Sequence, residues 1–345
     1  MAQIVLGKPK KTMALFPRMM GEGIPSIVLN PIQIRVKQEV ANKVKTGEYD
    51  FESVFCAVCS ADNPEPIAER DRYGLYFSVC ICKQCGFVYT NPRMTQTAYS
   101  SFYDHEYRPL YVGFEVAGEA FFREQQKQGK QIYEFLDSAN QISDRPMRVL
   151  EVGCGAGGIL DFFRSKGHKV TGIDLGSEYI NYGSKNHSLD LRVGTLADFH
   201  SEDPIDLIVY SHVMEHILDL HAEISAIRRL CSVQTKLYIE VPGIKNIHKN
   251  YGMDAMTYYQ NAHVYHFTLH SIRALMKFHG FAMIAGNEYV KSIFCIGNDS
   301  FSQRDEYQSV LYYFRWNERF RWLFPLSIAG IKRTLKRIKN RFMGN

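Results

Sequence analysis

An α/β fold built on a doubly wound, largely parallel sheet is predicted by three features of this 345-residue chain. Strand-like and helix-like segments alternate over short connections from residue 146 to 298, the pattern of strand–helix–strand units. The first of these strands, Val149-Leu150-Glu151-Val152, runs straight into the glycine-rich turn Gly153-Cys154-Gly155-Ala156-Gly157-Gly158. Upstream, two Cys-x-x-Cys pairs mark a second, smaller module. The chain therefore divides into an N-terminal arm (1–50), a cysteine module (51–100), a helical linker (101–145), the sheet domain (146–298) and a basic C-terminal segment (299–345).

Composition leaves the functional class open but closes some options. The 46% hydrophobic and 22% charged residues are ordinary for a folded domain, and a net charge of +5 does not by itself imply nucleic-acid binding. Nothing approaches the run of about 18 apolar residues that spans a bilayer. Lys8, Lys10 and Lys11 break the apolar start before a signal-peptide core develops, so the expected location is the cytoplasm. Eight cysteines would allow disulfides in an exported protein, but their clustering points to a metal.

In the arm, Pro9, Pro17, Pro25 and Pro31 keep the chain irregular, and Ile34, Val36, Val40 and Val44 then predict a short helix ending at Gly47. Cys56 and Cys59 are followed, after a 22-residue gap, by Cys82 and Cys85. Two such pairs place four thiolates on two tight knuckles and close a tetrahedral shell around a structural Zn2+, as in a zinc ribbon. Gly86 permits the turn that aims backbone N–H groups at sulfur. Cys80 shares a strand face with Cys82 and is an alternative ligand. Tyr73, Tyr76, Phe77, Val79 and Ile81 suit the strands of the module. In the linker, Tyr99, Phe102, Tyr103, Tyr107 and Tyr111 form an aromatic stretch divided between packing and a pocket wall, and residues 121–136 read as a helix.

Gly153, Gly155 and Gly158 satisfy G-x-G-x-x-G, a pattern shared with nicotinamide-binding folds. Glu151 separates the two readings. A carboxylate in a buried strand needs a cationic partner, which the ammonium of S-adenosylmethionine provides and a pyrophosphate does not. Asp174 ends the next strand, 21 residues after Gly153, where an acidic residue accepts the ribose hydroxyls. Leu175 follows it. Asp198 is placed for the adenine amino group, with Leu196 and Ala197 beside the ring; a helix-capping or loop aspartate is the alternative. The fourth strand, 206–210, leads into Ser211 and His212, and the fifth spans 236–243 after a helix over about 220–230.

On the Glu151-Val-Gly-Cys-Gly turn, Asp174, Asp198 and the strand opening at Asp206, the chain resembles the class I S-adenosylmethionine-dependent methyltransferases. Three further stretches, Cys-Gly-Phe-Val-Tyr-Thr-Asn-Pro-Arg, His-Val-Met-Glu-His-Ile and His-Val-Tyr-His-Phe-Thr, resemble their zinc-module members, associated with sugar, surface-glycan and natural-product modification. The likeness covers about residues 55–298. It implies a Rossmann-like, seven-stranded sheet with an antiparallel seventh strand, and a small-molecule acceptor such as a sugar, nucleotide-sugar or glycan unit.

A methyl group on a sulfonium is already activated, so the protein must align the acceptor hydroxyl or carbon and, for a hydroxyl, take one proton. His212, His263 and His266 are the candidate bases, each also readable as a structural histidine. If 212–216 opens a helix, His212, Glu215 and His216 share a face, a spacing that also permits a metal. Tyr251, Tyr258, Tyr259 and Tyr265 are candidates for stacking on a sugar ring. In the C-terminal segment Ile331, Leu335, Ile338 and Phe342 place an apolar stripe on a basic helix, suited to an anionic membrane surface or to docking on the protein itself. Nucleic acid is the weaker reading, with no module for it. Two further functions are a nicotinamide-dependent oxidoreductase and a non-catalytic zinc-ribbon interaction protein.

Overall fold

The computed structural model describes residues 15–21, 23–111, 118–302, 304–326 and 331. The stripe at Leu335, Ile338 and Phe342 therefore lies outside the described residues, and Ile331 alone is seen, half exposed.

Helix α1 (Pro31–Thr46) begins where Asn30 and Gln33 form a reciprocal capping box and stops at Gly47, whose φ of 77° is the left-handed cap. It buries Val36 and Val40. The cysteine module follows with β1 (Phe51–Glu52), β2 (Pro64–Arg70), β3 (Tyr76–Cys82), β4 (Val88–Thr90) and β5 (Arg93–Met94). Helices α2 (Gln96–His105), α3 (Tyr107–Tyr111) and α4 (Glu119–Ser138) lead to the large sheet. That domain runs β6 (Arg148–Val152), α5 (Gly158–Ser165), β7 (Lys169–Asp174), α6 (Ser177–His187), β8 (Leu191–Val193), β9 (Leu207–Ser211), α7 (Leu220–Leu230) and β10 (Lys236–Glu240). It continues through α8 (Ile247–Asn250), α9 (Ala255–Tyr258), β11 (Tyr265–His266), α10 (Leu269–Phe278), β12 (Phe281–Gly286) and β13 (Lys291–Ile296), and α11 (Tyr307–Phe320) follows.

The large sheet has seven strands in the order β12-β13-β10-β9-β6-β7-β8. β6 to β10 pair in parallel, whereas β13 is antiparallel to both β10 and β12. Side-chain alternation splits β6, β9 and β10 between two apolar layers. Leu150, Val152, Ile208 and Tyr210 face a core shared with the arm and the cysteine module, and Val149, Leu207 and Val209 face α4 and α5. Asp219 caps α7 by accepting from the Ala222 N–H at 2.9 Å, an interaction worth about 1 kcal/mol.

The module does not close on itself. β11, from the stretch after the fifth parallel strand, pairs antiparallel with β4 and completes a four-stranded sheet β11-β4-β3-β2. Residues beyond β13 return to the same module. A Cβ at Gly86 would lie 2.5 Å from the Glu306 backbone, and Phe314 of α11 packs on Phe16 and Tyr259. Gly86 donates its N–H to the Cys82 carbonyl at 2.8 Å, so this N–H serves the turn and not a sulfur.

Candidate functional site

Strand order reverses between β6 and β9, and the crevice beyond their C-terminal ends is where open parallel sheets bind ligands. The glycine turn forms one wall. Gly153 (φ 72°) and Gly155 (φ 54°) both adopt the left-handed conformation, and a Cβ at Gly153 would lie 2.4 Å from Val213 Cγ2. The Gly153 and Cys154 N–H groups donate to the Ile173 carbonyl at 2.8 and 3.1 Å, which fastens the turn to β7. Asp174 accepts from the Gly155 N–H through Oδ2 at 2.9 Å and from the Gly176 N–H through Oδ1 at 2.6 Å. Its carboxylate is thus oriented before any ligand arrives.

Glu151 is 1% exposed, and its Oε2 has no hydrogen-bond partner. Burial, and then the charge of Asp174, push its carboxyl well above the usual carboxylate range. A buried carboxylate with one unpartnered oxygen, beside a turn that only glycine can form, fits a ligand bearing an ammonium group, as S-adenosylmethionine does. Leu196 is buried, Ala197 and Asp198 are exposed, and Asp198 accepts from Thr195 Oγ1 at 2.6 Å. Leu175 is exposed, and buried Ser211 accepts from Gln128 Nε2 at 2.8 Å.

Three residues at this wall were not anticipated. Gln125 of α4 donates to the Cys154 carbonyl at 3.0 Å and accepts from the Gly158 N–H at 3.3 Å, clamping both ends of the turn. Gln128 reaches Ser211. Arg108 lies over the Tyr179 ring at 3.7 Å, and its Nη2 is 2.2 Å from where a Cβ at Gly176 would stand. A polar Gln125 on the same helical face as buried Phe122 and Ile132 was the available signal for the clamp.

The opposite wall is built from distant segments. His212 sits at φ 57°, and Met214–His216 is a single 3-10 turn, so the stretch after β9 is not the start of a helix. His212, Glu215 and His216 still converge. Glu215 Oε1 lies 3.5 Å from His212 Nδ1, 3.9 Å from His216 Nε2 and 4.0 Å from His263 Nε2. The His212 side chain is 45% exposed in the crevice. Desolvation works to lower its imidazole, but the Glu215 carboxylate more than offsets that, leaving it above its ordinary 6.5. His263 is buried, and burial followed by neighbouring His216 holds it far below that value. Tyr103 and Tyr107 stack at 4.3 Å and meet the His216 ring edge-on.

His266 is not brought to this wall. It is 1% exposed with both ring nitrogens unpartnered, it packs against Phe77, Tyr258 and Tyr259, and burial drives it down to about 3. Tyr258 and Tyr259 are core residues, and Tyr265 donates to the Leu218 carbonyl at 2.8 Å, so these three present no free ring face to a sugar. The four module sulfurs of Cys56, Cys59, Cys82 and Cys85 come within 4.8 Å of one another. Cys56–Cys85 and Cys59–Cys82 separations are 3.5 and 3.6 Å. Sulfurs about 2.3 Å from a common tetrahedral centre would be spaced in this way. Cys80 instead donates to the Asn91 carbonyl at 3.2 Å, outside that group.

A sheet of seven strands with an antiparallel penultimate strand and an acidic strand end before a glycine turn defines the class I methyltransferase architecture. Residues 122–285 match the family model described as a methyltransferase domain. Over 111 residues the chain is 32% identical to the ubiquinone biosynthesis O-methyltransferase of Colwellia psychrerythraea, covering 30% of this chain and 42% of that protein. Over 110 residues it is 31% identical to the O-antigen chain terminator bifunctional methyltransferase/kinase WbdD of Escherichia coli, covering 29% of this chain and 15% of that one. A SAM-dependent methyltransferase from Archaeoglobus fulgidus superposes with a TM-score of 0.37 at 18% identity, over 48% of this chain and 75% of that one. The chain thus spans less than half the length of these two curated relatives. Residues 122–285 thus form a methyltransferase domain.

Proposed function

We propose that the protein transfers a methyl group from S-adenosylmethionine to a hydroxyl of a small molecule, with a sugar, nucleotide-sugar or glycan unit as the acceptor. The observation that carries this reading is the buried Glu151 carboxylate, with its Oε2 unpartnered, beside the Gly153–Gly155 turn. Glu151 would hold the ammonium, Asp174 the ribose hydroxyls, and Leu196, Ala197 and Asp198 the adenine. Bound there, the cofactor supplies a methyl group activated by its positive sulfur. His212, with Nδ1 turned towards Glu215, leaves Nε2 free to take the proton of the acceptor hydroxyl as the new C–O bond forms. The proton held on His212 would balance the positive charge lost from the sulfonium, so no further reactant would be needed. The name of one relative, an O-methyltransferase, favours oxygen over carbon.

We also propose Zn2+ on Cys56, Cys59, Cys82 and Cys85; four thiolates leave it no open position, so its role is structural. Among the described residues no helix is long and apolar enough to cross a membrane. Contact of the C-terminal segment with the anionic inner face of a membrane is a separate proposal, supported by exposed Trp322 and Leu326 beside the basic stretch. Sedimentation with phosphatidylglycerol vesicles tests it, and loss of pelleting after removal of residues 327–345 is the expected result.

Calorimetry with S-adenosylhomocysteine and with NAD tests the cofactor. Micromolar binding of the former and none of the latter is expected, and the reverse would make the protein an oxidoreductase. A screen of hydroxylated acceptors with methyl-labelled donor tests the acceptor class. Label on amines alone would overturn the oxygen reading.

A further inference from the structure

Glu215 is the most isolated charge on the acceptor wall. It is 1% exposed, and neither carboxylate oxygen has a hydrogen-bond partner. A buried carboxylate in this condition costs several kcal/mol unless a cation or a set of donors meets it. The neighbouring groups are imidazoles standing 3.5 to 4.0 Å away, too far to bond it well and too close to be incidental. His216 Nδ1 is 2.9 Å from the Ala262 carbonyl and 2.5 Å from Tyr103 Oη. A proton on Nδ1 satisfies that carbonyl, which turns the Nε2 lone pair towards Glu215. A carbonyl bonded to the second ring nitrogen is how ligating histidines are commonly oriented. His263 is 5% exposed. One donor atom from each of Glu215, His216 and His263 falls within 4.8 Å of the others.

We propose that Glu215, His216 and His263 form a second metal site, distinct from the cysteine cluster, that takes one divalent first-row transition ion. Two imidazoles and a carboxylate are borderline nitrogen and oxygen donors, suited to Mn2+, Fe2+, Co2+ or Zn2+ more than to Ca2+ or Mg2+. Three protein ligands leave a coordination position open, as in catalytic metal sites. His212 flanks the site on its exposed side, so the open position faces the crevice. There the ion would accept the acceptor hydroxyl as a ligand and make it more acidic, and the released proton passes to His212. That role rests on the methyl-transfer reading, whereas occupancy of the site does not.

Mn2+ is the discriminating probe, because thiolate sites select softer ions. Full-length protein, stripped with a chelator and reloaded with one equivalent of Zn2+, is titrated with Mn2+ while the free-ion paramagnetic resonance signal is followed. Wild type should remove one equivalent of signal. Glu215→Gln and His263→Gln, checked for an intact melting transition, should bind at least 10-fold more weakly. Cys82→Ser, or the zinc-loaded wild type probed for thiolate charge transfer with Co2+, separates the cysteine cluster from this one. If wild type retains no Mn2+ and its total Zn2+ capacity is one ion per chain, the site does not exist. If Mn2+ binds equally to wild type and both variants, the ligands are misassigned. Methyl transfer is measured in parallel on the same samples. Metal binding without any transfer leaves the site standing and sinks the acceptor reading, while transfer at full rate in protein that binds no Mn2+ sinks the site alone.

Discussion

On the donor wall of the crevice, Glu151, Gly153 and Gly155 occupy one short run, and Asp174 ends the adjacent strand, hydrogen-bonded to the same turn. On the acceptor wall, Tyr103, Glu215 and His263 come from a linker helix, the turn after β9 and the loop before β11. The first wall is set by backbone conformation within one strand–turn–helix unit. The second is set by tertiary packing, and its support comes from the cysteine module: β4 pairs with β11, and the Thr90 N–H donates to the Val264 carbonyl at 2.9 Å. Damage to the module should therefore reach acceptor chemistry before it reaches cofactor binding.

Breaking the proposed zinc site in the cysteine cluster is the most drastic way to break this comparison. Structural zinc contributes about 10–16 kcal/mol of apparent folding free energy in small metal-dependent domains. Cys82→Ser should give a protein whose melting transition falls steeply or whose module no longer folds, measured by calorimetry. In the fraction that remains folded, turnover should fall further than S-adenosylhomocysteine affinity. Equal loss of both would mean that the two walls depend on the module alike.

Gly153→Ala strikes the donor wall in the same spirit. The φ of 72° and the 2.4 Å approach of Val213 Cγ2 leave no room for a methyl group. Affinity for S-adenosylhomocysteine should fall by about 100-fold or more, since the turn must move to relieve the strain. His212→Asn tests the other side. Turnover should drop by about 10²–10⁴, the range for a lost general base, with cofactor affinity unchanged. A parallel loss of both would place His212 against the cofactor and not against the acceptor.

This asymmetry also decides what the sequence made legible. A glycine turn after an apolar strand and an acidic residue at the next strand end are local facts, so the sheet, the turn and Asp174 could be placed from spacing alone. The antiparallel strand β13 came from family resemblance, because no local pattern distinguishes parallel from antiparallel pairing. Convergence of His216 and His263 on Glu215 joins residues 47 apart or more only through the loop that β11 anchors, and no periodicity encodes it. His263 and His266 looked equivalent as neighbours in one motif. Alternation along β11 and its approach separates them, sending His266 into the core with Phe77 and leaving His263 beside Glu215. Cys80 shows the same limit: it lies on the strand that ends at Cys82, yet the Asn91 carbonyl takes its thiol.

Glu151→Gln keeps the shape of the donor wall and removes its charge. A hydrogen bond to a charged group is worth about 1.5–3 kcal/mol, so cofactor affinity should fall roughly 10- to 100-fold. Because burial raises the Glu151 carboxyl, pairing with an ammonium must expel its proton. Wild-type affinity should therefore rise with pH through the range where Glu151 titrates. Calorimetry in buffers of different ionisation enthalpy should show proton release that Glu151→Gln abolishes. The variant should also be no less stable than wild type without cofactor, since an unpartnered carboxylate is a burden on the fold.

The smallest effect is expected where a histidine of the motif lies outside the site. His266 in the folded protein titrates at about 3, against its ordinary 6.5. Between these values the unfolded chain binds a proton that the folded chain does not, so folding stability falls as pH drops below about 6.5 and levels off near 3. His266→Phe fills a similar space among Phe77, Tyr258 and Tyr259 without a titrating group. Its melting temperature should match or slightly exceed wild type at pH 8, and the gap should widen in its favour at pH 5. Turnover at pH 8 should stay within about twofold, because the ring touches neither wall of the crevice. A 100-fold loss of turnover with an unchanged melting curve would return His266 to the acceptor site and remove the distinction between the two histidines.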